Sequence, residues 1–510
     1  MPAALEIRGR SPITTFESAS KEEFNVISRL AHGPAVKSLV EDLWRQKESI
    51  EALTRQHLGL GKHDACTVLE RHTWIRGGFN ICVLVDVTSS RQSSKVVFRC
   101  AMPHKLAEAR YPGTVDEKLG CEVGAYVWMQ EKCPDIRIPR LYGFGFLDGR
   151  HFTHASRRPF LFRIARVFWR CVYGLLGYPL LSQYIPNPTR HSIDSAYVLL
   201  EYIDPESGQQ MLSNTWDKYR GDAVRRERLF RGMTKIMLSL ARLPQLQIGA
   251  FQFASDGTIS LRNRPLNCTI VLAENDGAPR TMQRDDTFKC TDAFVSGMLT
   301  FHDRRFLGQP NAIYSANDCR SQIAVKTLLR VFSHRYIRPD HRHGPFILQL
   351  TDLHASNIFV DHDWNITCLL DLEWLCALPL EMLCVPYWLT GCSLDEIQDE
   401  RYGEFDKIRQ EFMRSFREQE QETTPEHGIA ISQLMQDMWA SKGVWFWHCL
   451  SSINAMYFVL ETHLSPKGYL SADTEKAVSQ FWCENAEEVV QKKLVDREEY
   501  DAELKRIFSE

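Results

Sequence analysis

Residues 349–374 read QLTDLHASNIFVDHDWNITCLLDLEW. Two short apolar runs, IFV (358–360) and ITCLL (366–370), bracket the polar connection DHDWN (361–365). That spacing predicts a hairpin centred near Asp363. Pairing about that centre sets Asn357 opposite residues 369–371, so Asn357 and Asp371 meet at one end. Asp352 lies on the loop just before the first strand and falls at the same end. Two carboxylates and a carboxamide therefore converge. Oxygen ligands of this kind suit Mg²⁺, and the remaining carboxylate can act as a general base. Phosphoryl transfer has these requirements: an acceptor must be oriented, its proton taken, and phosphate charge neutralised.

The texture upstream fits such a site. FNICVLVDV (79–87) and KVVFRC (95–100) are β-rich and separated by the turn-like TSSRQSS (88–94). A helix is expected over residues 117–130, then strands at IPRLYGFGFL (138–147) and AYVLLEYI (196–203). This order contains no parallel doubly wound unit. Beyond Asp204 the pattern turns helical, with Leu229, Met233, Ile236, Met237 and Leu240 on one side of residues 222–243. FQFASDGTISL (251–261) reads as a hairpin turning at Asp256-Gly257, residues 262–318 are mixed, and a helix is expected near 319–336. Residues 394–508 read mostly as helices, with the charge-rich 411–428 as an exposed linker or helix end.

TDLHASNIFVD (351–361) and CLLDLEW (368–374) resemble two segments of the aminoglycoside phosphotransferase and choline-kinase-like family, especially its fungal members. LPLEMLCVPYWLTG (378–391) and SKGVWFWHCL (441–450) resemble downstream segments of that group, and the likeness spans about residues 65–490. The resemblance implies an α+β, bilobal protein-kinase-like fold with an antiparallel β-rich N-lobe and a mainly helical C-lobe. It divides the chain into a helical extension (1–64), a nucleotide-covering N-lobe (65–203), a C-lobe with catalytic loop and substrate cleft (204–490) and a helical tail (491–510). Length alone would suggest about three domains.

The same resemblance implies an ATP- and Mg²⁺-dependent phosphotransferase acting on a small-molecule hydroxyl or amine. Asp352 becomes the catalytic base, Asn357 and Asp371 hold Mg²⁺, and Glu373 supports the metal loop. Gly77 and Gly78 in RGGFN (76–80) match the phosphate-covering turn. Arg99 stands where the kinase fold usually has Lys, with Glu122 as its ion-pair partner, and the backbone from Glu201 to Ile203 would meet adenine. The family often has His two residues before the catalytic Asp, where this chain has Leu350. Arg is not a lysine equivalent at phosphate. Arg99 and Leu350 therefore motivate a second reading, a catalytically weak or inactive kinase-like protein that binds nucleotide or metabolite. LTD in place of H-R-D, DLE in place of D-F-G and no A-P-E argue against a protein substrate.

Composition narrows the partners. Lys+Arg total 61 against Asp+Glu 64, so no global basic field exists to hold nucleic acid, and no obligate protein partner is evident. The 15 cysteines include no C-x-x-C pair, and the eight-residue recurrence of Cys368, Cys376, Cys384 and Cys392 reads as buried small residues. The amino-terminal residues lack an apolar signal core and carry Glu6, Glu17, Glu22 and Glu23, which favours a cytoplasmic location over a mitochondrial one. Phe160–Tyr184 is membrane-like, with Arg163, Arg166 and Arg170 on one helical face. Peripheral lipid contact through 160–184 is weighed against capping of a cleft or core packing, and the latter pair is favoured. DHDWN reads as a solvated turn rather than a calcium loop. The arginines from Arg220 to Arg231 read as a solvated helix face, and Trp439, Trp445, Trp447 and Tyr457 as helical core.

Overall fold

The structure, a computed structural model, describes residue 5 and residues 12–89, 93–422, 428–465 and 470–509. The chain is α+β with antiparallel sheets. The expected turn at TSSRQSS and the end of the charge-rich 411–428 segment lie partly outside the described residues.

The β-rich runs pair as their composition demands. Asn80–Thr88 and Ser93–Ala101 run antiparallel in register from Asn80 opposite Ala101 to Thr88 opposite Ser93. They belong to an eight-stranded sheet. Ala65–Val68 flanks Asn80–Thr88, while Ser93–Ala101 leads on to Tyr197–Glu201, Leu141–Gly145, His151–His154 and finally Tyr184–Pro186. A five-stranded sheet orders Phe346–Leu350, Leu375–Pro379, Gly249–Phe253, Thr258–Asn263 and Leu180–Leu181. The helix Thr114–Lys132 packs between these sheets. A Cβ on Gly124 would lie 2.5 Å from Cβ of Phe251, so only glycine permits this approach.

Helices Ala223–Ala241 and Ala316–Tyr336 lie where periodicity puts them, and Gly257 turns the 249–263 hairpin at φ +84°. The mixed region 262–318 contains helices Cys268–Asn275 and Thr291–Gly308. Strands Phe346–Leu350 and Leu375–Pro379 were not legible as strands. All five residues of Leu375–Pro379 are buried, so no polar alternation marks it. Trp445 and Trp447 are core residues, as expected. The amino-terminal helices pack on the large sheet through Val36, Leu43, Ile50 and Leu53, and Tyr500 near the carboxyl end accepts the Val26 amide at 3.0 Å.

One expectation is overturned. The helix Phe160–Leu175 neither caps a cleft nor packs into the core, because none of its residues is buried. Arg166 and Arg170 point inward to backbone carbonyls, which turns the apolar side outward. No helix among the described residues is long and apolar enough to cross a membrane.

His57 fastens the helix Lys47–Leu58 to the sheet. Its Nδ1 lies 2.7 Å from Thr153 Oγ1 and its Nε2 2.7 Å from Tyr197 Oη. Burial holds its pKa down to about 3, and that of buried His302 likewise to about 3. Below pH ~6.5 the unfolded chain takes up protons that the fold refuses. Stability is therefore full above that value and declines as pH falls toward 3, by about 1.4 kcal/mol per pH unit for each such histidine. Urea denaturation between pH 7 and pH 5 should show the decline. His57→Ala should cost about 2–4 kcal/mol at pH 7, since two buried hydroxyls lose a partner.

Candidate active site

Two nested pairings shape residues 349–374. Outside, Leu350 pairs with Leu375, and Thr351 donates to Trp374 O through both N (3.2 Å) and Oγ1 (2.8 Å). Inside, Ile358 pairs with Leu369 and Phe359 with Cys368. Asp361 closes the turn by accepting the amides of Asp363 and Asn365, each at 2.9 Å. The stretches 351–357 and 370–374 therefore face each other between the pairings. Asp352, Asn357 and Asp371 line one crevice with Leu350, Leu353, Leu370 and Trp374. Leu370 N donates to Asn357 O at 2.8 Å, within the range the hairpin spacing predicts.

Asn357 and Asp371 are held by hydrogen bonds, while the Asp352 carboxylate lies 3.9 Å from His354 Nε2. Asn357 Nδ2 donates to Asp352 O at 2.9 Å, which leaves Asn357 Oδ1 without a donor among the described residues. Asp371 takes the left-handed backbone, φ +58°, a conformation that Asp tolerates better than most residues. Its Oδ1 accepts from Arg99 Nη1 at 3.0 Å. Arg99 also bonds Glu122 and lies 3.5 Å from Glu373. Lys118 bonds Glu373 and reaches Glu122 at 3.5 Å, and Asn80 Nδ2 donates to Glu373 at 2.9 Å.

Arg99 and Lys118 thus face three carboxylates, Glu122, Asp371 and Glu373, leaving one negative charge uncompensated. Glu373 is the best supplied. Lys118, Arg99 and Asn80 outweigh its burial and keep its pKa low. The surplus therefore falls on Asp371. Burial, with Glu373 beside it, raises the Asp371 pKa to about 7 against the pull of Arg99. Burial also raises Asp352, opposed by His354. The donor set fits Mg²⁺. An uncompensated carboxylate and a free carboxamide oxygen supply two hard ligands, and Mg²⁺ commonly takes the rest from phosphate and water. Among the described residues no cluster of three or more His, Cys, Asp or Glu could hold a metal by itself.

The other expected residues divide. Arg99 and Glu122 meet. Gly77 and Gly78 lie in the tight turn between Ile75–Arg76 and Asn80–Thr88, where Gly77 N donates to Asn80 O at 2.8 Å. Neither has a positive φ, and Gly78 has open space around it. Phe79, next in the turn, meets Trp374 edge-on at 5.1 Å. Ile203 is buried against Phe359, Cys368 and Leu370, just before the loop that carries Asp371. At Glu201 the amide donates to Arg140 O at 2.9 Å and the carboxylate binds Arg137 at 2.6 Å. Lys118 and Asn80 were missed. A Lys four residues before Glu122 was the available signal, but it reads as a surface pair.

Beside Asp352 lies an apolar cavity of about 210 Å³. Leu350, Leu353, Met382, Tyr387, Trp388 and Trp447 line it, with no Asp, Glu, Lys or Arg in its wall among the described residues. Burial, and then the Asp352 charge, push the Tyr387 phenol up, which ties this wall to the crevice.

Neither a family model nor a curated protein matches the sequence. Among solved structures, an ethanolamine kinase from Plasmodium vivax aligns over 85% of this chain and 85% of its own, with 12% identity and a TM-score of 0.34.

The charge count makes two variants move oppositely. Lys118→Met leaves three carboxylates facing Arg99 alone and should cost about 3–5 kcal/mol. Asp371→Asn removes the surplus charge and should stabilise the metal-free protein at pH 8 by about 1 kcal/mol or more. Denaturant titration of both variants in EDTA checks the pair of signs.

Proposed function

We propose that the chain is an ATP- and Mg²⁺-dependent phosphotransferase with a two-lobed kinase-like fold, acting on a small-molecule hydroxyl or, second, an amine. The observation that carries this reading is the surplus negative charge on Asp371 beside the free carboxamide oxygen of Asn357, with Asp352 in the same crevice. When bound, Mg²⁺ would neutralise charge on the nucleotide phosphates. Asp371 and Asn357 would hold it. Asp352 would accept the acceptor's proton as the new phosphorus–oxygen bond forms. Glu122 fixes Arg99, which in turn sets the position of Asp371, while Lys118 fixes Glu373 two residues on. The turn at Gly77 and Gly78 would cover the phosphates, and Ile203 would lie under the base.

The cavity beside Asp352 supports an acceptor with an apolar body. A polycationic aminoglycoside would find no carboxylate in that wall. A second reading, nucleotide binding without turnover, is favoured by one observation. Both buried cations are already engaged by carboxylates, so neither is left over for phosphate.

ATP with Mg²⁺ should raise the melting temperature of the wild type, and Asp371→Ala should abolish the shift. A panel of metabolites incubated with labelled ATP should show transfer to neutral, lipophilic alcohols ahead of polyamines. Asp352→Asn should lower that transfer by about 10²-fold or more while keeping the shift. A shift without transfer to any acceptor selects the second reading, and the absence of both sinks the nucleotide assignment. Because burial raises the Asp352 pKa, kcat/KM should fall on acidification, at a pH above that of an ordinary aspartate.

A further inference from the structure

We propose that the helix Phe160–Leu175 is a docking surface for an anionic lipid bilayer, lying in the plane of the interface. The helix is an excursion from the sheet's edge. The chain leaves strand His151–His154, forms the helix and returns as Tyr184–Pro186, which pairs with the strand it left. Its amphipathicity is inverted with respect to the protein. Arg166 donates to Ser182 O at 2.7 Å and Tyr184 O at 2.8 Å. Arg170 donates to Leu181 O at 2.9 Å and binds Glu131 at 2.7 Å. The opposite face carries Leu161, Ile164, Val167, Phe168 and Leu175 into solvent, with Leu161 78% and Leu175 87% exposed.

Charge selects the occupant. From residue 149 to residue 193 the sequence contains no Asp or Glu and seven arginines. Of these, Arg157, Arg163 and Arg190 are exposed, with Arg163 on the helix itself. A cationic, acid-free segment carrying an exposed apolar stripe complements a leaflet of anionic lipids. A second copy would set the same arginines against one another across a twofold axis. Sixteen residues of helix span about 24 Å, short of the hydrocarbon core, which fits lying on a bilayer rather than crossing it. Trp169 and Tyr178, 53% and 57% exposed, add ring systems of the kind that settle at headgroup level.

The test is flotation of the full chain with phosphatidylcholine vesicles and with mixed phosphatidylcholine–phosphatidylserine vesicles. The wild type should float with the mixed vesicles, and binding should fall with added salt. L161E/F168E should reduce binding at least about tenfold at an unchanged melting temperature. Both side chains are exposed, so folding should survive. Should that variant be destabilised, the milder I164Q/V167Q serves instead. R157E/R163E should abolish the preference for phosphatidylserine. Failure of the wild type to float with either vesicle overturns the proposal, as does flotation that L161E/F168E leaves intact. Self-association that L161E/F168E dissolves, without vesicle binding, overturns it in favour of a second copy.

Discussion

Two buried carboxylates and the half-buried Asp371, confronting two buried cations, fix the relation between the large sheet, the helix Thr114–Lys132 and the loop 370–374. Arg99 comes from the sheet, Lys118 and Glu122 from the helix, and Asp371 and Glu373 from the loop. The helix cannot slide by a residue without leaving a charge unpaired in a dry site, and that penalty far exceeds an apolar mismatch. Against the second sheet the helix is less discriminating, because Gly120 and Gly124 present no side chain to the strand Gly249–Phe253. Its register there is again set by charge. Glu117 accepts from Arg264 Nε at 2.8 Å, and Arg264 continues to Glu274 at 2.5 Å. One helix thus carries two buried charge systems, on different sides, into two sheets.

The arrangement also explains why an Arg can occupy the position of Arg99. A lysine ammonium is a single point charge, whereas the guanidinium fork reaches Glu122 and Asp371 from different nitrogens. The ammonium beside it, from Lys118, serves Glu373. The two cations divide the carboxylates between them, and the charge left over falls on the carboxylate that faces the crevice.

What could be read from the sequence follows from this physics. Asp352, Asn357 and Asp371 were legible because a hairpin converts sequence spacing into proximity by backbone pairing alone. Lys118 was not, since Lys and Glu four apart on a helix usually mark a solvated face, and only burial reverses the meaning. Glu201 ends the strand Tyr197–Glu201 that the apolar run predicts, whereas the bond from its amide to Arg140 O is a tertiary fact with no local signature. The strands Phe346–Leu350 and Leu375–Pro379 were hidden by their own burial: a strand with most or all of its residues inside loses the alternation that identifies it.

The helix Phe160–Leu175 shows the limit most sharply. Periodicity establishes that a helix has two faces, but not which face meets the protein. Here the terminal strand of the sheet decides. Among the described residues Tyr184–Pro186 has no further neighbour, and an edge strand presents unpaired carbonyls. Arg166 satisfies Tyr184 O, and with Arg170 it also supplies the carbonyls of Ser182 and Leu181 just before that strand. Rotating the helix to bury its apolar face would strand these carbonyls and draw the guanidinium groups out to water. The polar side is therefore committed inward by backbone chemistry, and the outward apolar face follows from it rather than from any shortage of core.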